Sequence, residues 1–245
     1  MHFTAETSSN GVIERDFTVG DVPGVLWSPA PGADRAPLVL MAHSGGQHKR
    51  APGIVGRAQR FITGCGFHVA AIDAPGHGDR PRTPVDEQHI AVLRQAQAAG
   101  KPLGPVAAGI HLELAARAVP EWRATLDALQ ELPEIGAEGP VGFWGIMQGT
   151  GIGVPLVAAE PRIGAAVFGC LGQESLAEAA ARITVPVEFV LQWDDEHIDR
   201  RSGLALFDAF ASKEKTLHAN AGGHRELPRF EADSATRFFA RHLIA

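Results

Sequence analysis

The chain has 245 residues, a length that suits one α/β domain, and its hydrophobic fraction of 45% is ample for a sizeable core. A formal charge of −6 argues against the basic face that nucleic-acid binding favours. Two cysteines, Cys65 and Cys170, make neither a disulfide framework nor a four-ligand zinc site.

The N-terminus, Met1-His-Phe-Thr-Ala-Glu6, lacks a basic stretch followed by an apolar one. No window approaches ~18 uninterrupted apolar residues, so no membrane partner is expected and the cytoplasm is the expected compartment. Val12–Val19 and Val22–Trp27 are β-prone and flank Gly20-Asp21, a pair suited to a hairpin turn. After a loop over Pro29–Pro37, the apolar run Leu38–Ala42 reads as a strand buried on both faces. It ends in the glycine-rich His43-Ser-Gly-Gly-Gln-His48. Ile54, Ala58, Phe61, Ile62 and Cys65 recur at helical spacing, with Gly66 placed to end that helix. Phe67–Ile72 is the next buried strand and leads into Asp73-Ala-Pro-Gly-His-Gly-Asp79. Strand, helix, strand is a right-handed βαβ unit by default.

Residues 80–118 interrupt the alternation. Two helix-like pieces, Val85–Ala98 and Val106–Ala118, are split by Gly100-Lys-Pro-Leu-Gly104. An insertion after a sheet strand sits over the crevice where open α/β sheets bind ligands, so a small helical cap is expected. An ordinary helix pair at the sheet edge is the plainer alternative. Pro120 is expected to start a separate helix carrying Val119, Trp122, Leu126 and Leu129. Downstream, strands are expected at Val141–Gly145, Gly164–Cys170, Val185–Trp193 and Lys215–His218. Helices through Glu160, over Ser175–Arg182, near Leu204–Phe210 and around Ala235, Phe238, Phe239 and Leu243 separate or follow them. The whole is a doubly wound, mostly parallel sheet with helices on both faces, in a single domain over residues 1–245.

Gly145-Ile-Met147-Gln-Gly149 has the bracketing glycines of a nucleophile elbow, Gly-x-Ser-x-Gly, a strained strand-to-helix turn that holds a nucleophile above a sheet. Its centre is Met147. After it, Asp195 follows one later strand and His224 follows the next, which is the order nucleophile, acid, histidine. A histidine held by a carboxylate keeps one tautomer and works as a general base. Solvated turn residues and a loop histidine are the bland reading of the same pair.

The chain resembles the α/β-hydrolase superfamily, and within it the small esterases and lactonases of dienelactone-hydrolase or peptidase-like type. The resemblance rests on His43–Lys49, Asp73–Asp79, the elbow, Gln192-Trp-Asp-Asp195 and Gly222-Gly-His224-Arg-Glu-Leu-Pro228, in order along nearly the whole chain. It implies a sheet of about eight strands, a small ester, lactone or related carbonyl substrate, and no cofactor. It also implies that the backbone N–H of Gln148 joins one from the first glycine loop, Gly45 by preference, to bind an oxyanion. Ser44 and Gly46 would line the substrate site.

Met147 is the departure. A thioether has no proton for His224 to take, and activated-hydroxyl acyl transfer is missing. Ser44 or Cys170 could substitute as nucleophile, though a turn serine and a small buried hydrophobe are their plainer roles. Gly149-Thr-Gly151-Ile-Gly153 lacks the third glycine of a dinucleotide loop, because Val154 stands near that place. His43, His48, His77 and Asp79 could converge on a metal but lack helical ligand spacing, so no metal is assigned. His89 and His111 could line the underside of the cap. Three functions stay open: an esterase or lactonase scaffold whose nucleophile has been replaced, a lyase, isomerase or cyclase using Asp195–His224 as general base, and a non-catalytic binding protein. Nothing in the sequence specifies an oligomeric state.

Overall fold

In the computed structural model, residues 1–30, 35–101 and 103–244 are described. Residues 31–34 of the expected Pro29–Pro37 loop and residue 102 of the expected helix break lie outside them. One nine-stranded sheet runs in the order β1-β2-β3-β5-β4-β6-β7-β8-β9. Its first three strands, β1 (His2–Ser9), β2 (Val12–Val19) and β3 (Val22–Pro29), form an antiparallel meander, and β3 joins β5 (His68–Ile72) antiparallel. From β5 onward the sheet is parallel through β4 (Leu38–Ala42), β6 (Val141–Gly145), β7 (Ile163–Gly169), β8 (Val187–Gln192) and β9 (Lys215–Asn220). Every residue of β4, β5, β6 and β8 is buried, as strands covered on both faces require.

Two apolar layers cover those faces. On one, α1 (Pro52–Cys65) and α7 (Phe230–Leu243) bring Ile54, Ala58, Phe61, Phe238 and Phe239 against Val39, Met41, Val69 and Trp144. Gly66 ends α1 at φ 70°, where its N–H reaches back to the Ile62 carbonyl and the next N–H, that of Phe67, to the Phe61 carbonyl. On the other, α3 (Leu103–Gln130), α4 (Gln148–Ala159), α5 (Ala177–Ala180) and α6 (Arg200–Ala209) pack Trp122, Leu126, Ile152, Leu156 and Leu206 onto Leu40, Phe143 and Phe168.

The expected mostly parallel sheet of about eight strands is present. The sheet has nine strands, because His2–Ser9 is also a strand. It lies at an edge, exposed along almost its whole length, so it carries no apolar alternation to read. Its turn was legible: Asn10-Gly11 sits at φ 51° and 77°, the left-handed pair a two-residue hairpin demands. One expectation is corrected, at Pro120. It lies inside α3 and starts nothing. Leu114, Ala118, Trp122, Leu126 and Leu129 form one continuous buried stripe across it, and that burial outweighs the hydrogen bond lost at one proline.

The remainder of residues 80–118 is α2 (Pro84–Ala98) and the first half of α3. Thr83 caps α2 through a capping box with Asp86, and Asp86 Oδ1 accepts from Arg117 Nη2 of α3 at 2.5 Å. Among the described residues no helix is long and apolar enough to cross a membrane.

Candidate active site

The elbow forms where β6 turns into α4. Met147 takes φ 55° and ψ −122°, a backbone state that costs a residue with a side chain about 1–3 kcal/mol. Space there forbids most alternatives at the flanking positions. A Cβ on Gly145 would stand 2.7 Å from the Gly149 carbonyl oxygen, and one on Gly149 would stand 2.7 Å from that of Ala42. The strained turn is fixed from below. Met147 N–H donates to the Gly169 carbonyl at 2.9 Å, and the buried Thr150 hydroxyl lies 2.9 Å from the Gly145 carbonyl and 2.8 Å from that of Gly169. The same hydroxyl accepts the Gly169 N–H at 2.9 Å.

Asp195 and His224 meet. Asp195 Oδ2 is 2.7 Å from His224 Nδ1, and the two side chains are 3% and 15% exposed, so neither is the solvated turn residue of the bland reading. The Asp195 Oδ1 atom accepts the backbone N–H groups of His197 and Ile198 at 2.8 and 2.9 Å. Burial works against its ionisation, but the His224 ring and these two amides outweigh that and hold its pKa below the usual carboxylate value. The loops carrying acid and base are laced together: Asp194 N–H bonds the Gly222 carbonyl, Gly222 N–H bonds Asp194 Oδ2, and His224 N–H bonds Glu196 Oε2.

The two glycine loops are joined by a second constellation. Asp73, fully buried, accepts Lys49 Nζ at 2.7 Å and the backbone N–H groups of Lys49 and Asp79. His43 Nδ1 lies 2.9 Å from the Ser44 carbonyl and its Nε2 accepts the Ala74 N–H at 3.0 Å. Burial pushes the His43 pKa down to about 4, so the ring is neutral with its proton on Nδ1. His43 is thus spent on loop structure, Asp79 Oδ2 takes Lys49 Nζ at 2.5 Å, and His77 turns its Nδ1 to the Pro75 carbonyl. The metal convergence weighed for His43, His48, His77 and Asp79 does not form. Among the described residues, Glu188, His218 and Glu231 are the only such group close enough to share an ion, and they lie between β8, β9 and α7.

A cavity of about 770 Å³ opens above the elbow. Ser44, Gly45, Gly46, Met147, Gln148 and His224 all lie on its wall, so the expected site residues other than Asp195 share one space, and Asp195 stands behind His224. Gln148 begins α4, where a backbone N–H has no carbonyl of its own helix to bond. Gly45 lies over the Gln148 side chain, with room for a Cβ only 3.2 Å from Oε1. Ser44 Oγ points to the Ile146 carbonyl at 3.4 Å, a loop-to-elbow tie. Cys170 is buried, and desolvation pushes its thiol up to about 12, which keeps it protonated and inert.

Most of the other wall residues carry no mark in the sequence, His111 excepted. Leu93 and Gln97 of α2 and Ala107 and His111 of α3 close one side; of the two histidines considered there, His111 lines the cavity, while His89 pairs with Glu113. Gln173 Nε2 bonds His111 Nδ1 at 2.8 Å, and burial pushes His111 down to about 4. His197 sets its ring edge-on to His224 with centroids 5.1 Å apart. Arg57 of α1 lies over Trp144. Besides His111, placed under the expected cap, only Trp144, three residues before Met147, carried a positional signal in the sequence.

No family model matches the chain, and no curated protein matches it. Solved structures do. A polyethylene-glycol-bound cold-adapted esterase from an Arctic intertidal metagenomic library superposes at TM-score 0.81 with 32% identity, over 99% of this chain and 100% of that one. Acetyl xylan esterase 1 from Thermoanaerobacterium sp. shares the fold at TM-score 0.72 and 15% identity, over 100% and 88% of the two chains. The ferulic-acid-bound Est1E of Butyrivibrio proteoclasticus does so at 0.70 and 13%, over 94% and 99%. With that identity to the Arctic enzyme over essentially the full length of both chains, this protein belongs to the α/β-hydrolase superfamily, in the same family as that cold-adapted esterase.

Proposed function

We propose that the chain is a carboxylic-ester or lactone hydrolase scaffold acting on a small-molecule carbonyl substrate, with Met147 at the nucleophile position. In this reading His224 is the general base, Asp195 holds its tautomer and stabilises the imidazolium, and the N–H groups of Gln148 and Gly45 receive the developing oxyanion. Ser44 and Gly46 shape the floor beside them. The helices of residues 80–118 act as a cap that shields the cavity from water. With a thioether at the elbow the attack step has no nucleophile, so the chain as it stands does not run acyl transfer by the usual route.

The observation that carries this reading is the 2.7 Å Asp195–His224 contact beside an elbow whose strained backbone is kept at Met147. A hydroxyl at residue 147 would complete the set. The test is Met147→Ser, assayed on short acyl esters such as 4-nitrophenyl butyrate. Turnover that appears in the serine form and vanishes again in Met147→Ser/His224→Ala supports the proposal. A folded serine form with no turnover on any short ester sinks it.

A second reading is favoured by one feature: the dyad needs no nucleophile to abstract a proton. As a lyase, isomerase or cyclase the chain would use His224 as general base on the carbon acid of a bound carbonyl compound. Proton–deuterium exchange at such a carbon, present in the Met147 protein and absent in His224→Ala, separates it from the first.

A further inference from the structure

The cavity carries a charge opposite to that of the protein. The chain has a formal charge of −6, yet no aspartate or glutamate lies on the cavity wall among the described residues. The wall holds two arginines, Arg57 and Arg225. Arg57 is the built one. It projects from the first half of α1, one turn after Gly53, and its guanidinium carbon stands 4.6 Å from the ring centroid of Trp144. The indole is itself 4% exposed, so it is a fixed platform under the cation. Among the described residues no carboxylate forms an ion pair with Arg57; its one hydrogen bond runs from Nη1 to the Gly53 carbonyl at 2.9 Å, which leaves most of its five donors unused.

An unpaired guanidinium against a cavity wall is costly unless something charged arrives to meet it. The neighbours make this sharper. Burial lowers the Arg57 pKa and the adjacent Arg60 adds to that, while Arg60 is itself paired with Asp233. A guanidinium stays protonated under such pressure, so the cavity keeps a positive charge near the elbow. Held flat on an indole, it presents a planar fork of donors, the geometry that suits a carboxylate taken by two parallel N–H bonds. Beside Arg57 the wall is otherwise apolar, with Ile54, Ile146 and Leu227, so this end of the cavity suits a single carboxylate.

The geometry points to Arg57 on Trp144 as an anion subsite that selects substrates bearing a free carboxylate, the half-esters of short dicarboxylic acids being the plainest class. This rests on the hydrolase reading for the word substrate, but the anion subsite itself does not depend on turnover. Arg57 is a specificity residue here, placed to bind the far end of the molecule while His224 addresses its carbonyl. Arg225, on the loop just after His224, adds positive potential at the rim.

Two measurements separate this from the hydrolase reading. In the first, methyl hydrogen glutarate and dimethyl glutarate are titrated calorimetrically into the Met147 protein, which does not need to cleave them. The monoanion is expected to bind at least tenfold more tightly than the neutral diester, and Arg57→Met is expected to remove that preference by weakening the monoanion alone. Arg57→Lys, which keeps charge but loses the fork, should fall between. Equal binding of the two probes, no measurable binding of the monoanion at millimolar concentration, or a preference that survives in a folded Arg57→Met protein would each overturn the subsite. In the second, Met147→Ser is assayed with 4-nitrophenyl hydrogen glutarate against 4-nitrophenyl pentanoate. Turnover with equal kcat/KM on both would overturn the subsite and leave the hydrolase reading standing. A binding preference lost in Arg57→Met, with no turnover in Met147→Ser, would do the reverse.

Discussion

The backbone N–H of Met147 donates to the Gly169 carbonyl at 2.9 Å, so the tip of the elbow is hung from the end of the neighbouring strand β7. None of the bonds that hold the turn involves the side chain at residue 147. The scaffold of the elbow is therefore independent of the nucleophile, and its strain persists with methionine in place.

Thr150 is the residue that makes this tie rigid. Its hydroxyl is fully buried, accepts the Gly169 N–H, and faces the carbonyls of Gly145 and Gly169. Thr150→Val keeps the shape and leaves the Gly169 N–H without a partner, so stability should fall by about 1–3 kcal/mol. Urea denaturation would show this as a lower midpoint with an unchanged slope. A midpoint equal to that of the parent would mean that the elbow is held elsewhere.

The Lys49–Asp73 pair decides whether the two glycine loops stay in register. Both side chains are buried, at 5% and 0% exposure, and Asp73 also receives two backbone N–H groups. Asp73→Leu leaves the buried Lys49 ammonium only the carboxylate of Asp79, 2.5 Å away on an exposed side chain, and should cost up to about 3–5 kcal/mol, whereas Lys49→Met/Asp73→Leu together should cost less than Asp73→Leu alone. Thermal unfolding of the two variants checks the order. The reverse order would mean that the backbone amides, not the ion pair, carry the cost.

Asp195 should act through His224. In Asp195→Asn the ring loses its anionic partner and its tautomer is no longer imposed. On a Met147→Ser background this variant should lower kcat on the order of a thousandfold or more while KM changes only a few-fold, because the cavity wall is untouched. Nitrogen NMR of His224 should show the same change as a shift of the proton between ring nitrogens. A loss confined to KM would place Asp195 in binding and not in orienting the base.

How much of this was legible depended on what each residue does. Strands β4 to β8 announce themselves because both faces are buried, and the elbow does so because two glycines are sterically obligatory. The order of Asp195 and His224 after the elbow survives in any linear reading. The first strand was missed because an exposed edge strand has no reason to alternate, and the continuity of α3 because Pro120 is a local breaker overridden by a tertiary stripe. Arg57, His197 and Gln173 were missed for a different reason. They come to the cavity from α1 and from two separate loops, and no local pattern marks a side chain whose partner is an empty space.

The pH dependence of stability should show the cost of the buried histidine that bridges the glycine loops. His43 is 1% exposed, and its folded pKa of about 4 lies below the ordinary 6.5 because burial opposes the charged ring. Between those values the unfolded chain binds a proton that the folded chain refuses. Stability is therefore full above the ordinary value and is lost as pH falls from 6.5 toward 4, by roughly 1.4 kcal/mol for each pH step and about 3 kcal/mol in all. Asp73 and Asp195, both held below the usual carboxylate value, contribute only at lower pH, where stability that is full above the unfolded carboxylate value is lost as pH falls through their depressed pKa values. The two windows separate. Urea midpoints measured between pH 7 and pH 4.5 should fall steeply in the parent and less steeply in His43→Gln, even though that variant starts lower at pH 7. An equal slope in both proteins would assign the acid lability to other groups, with His111, also pushed down to about 4 by burial, the next to replace.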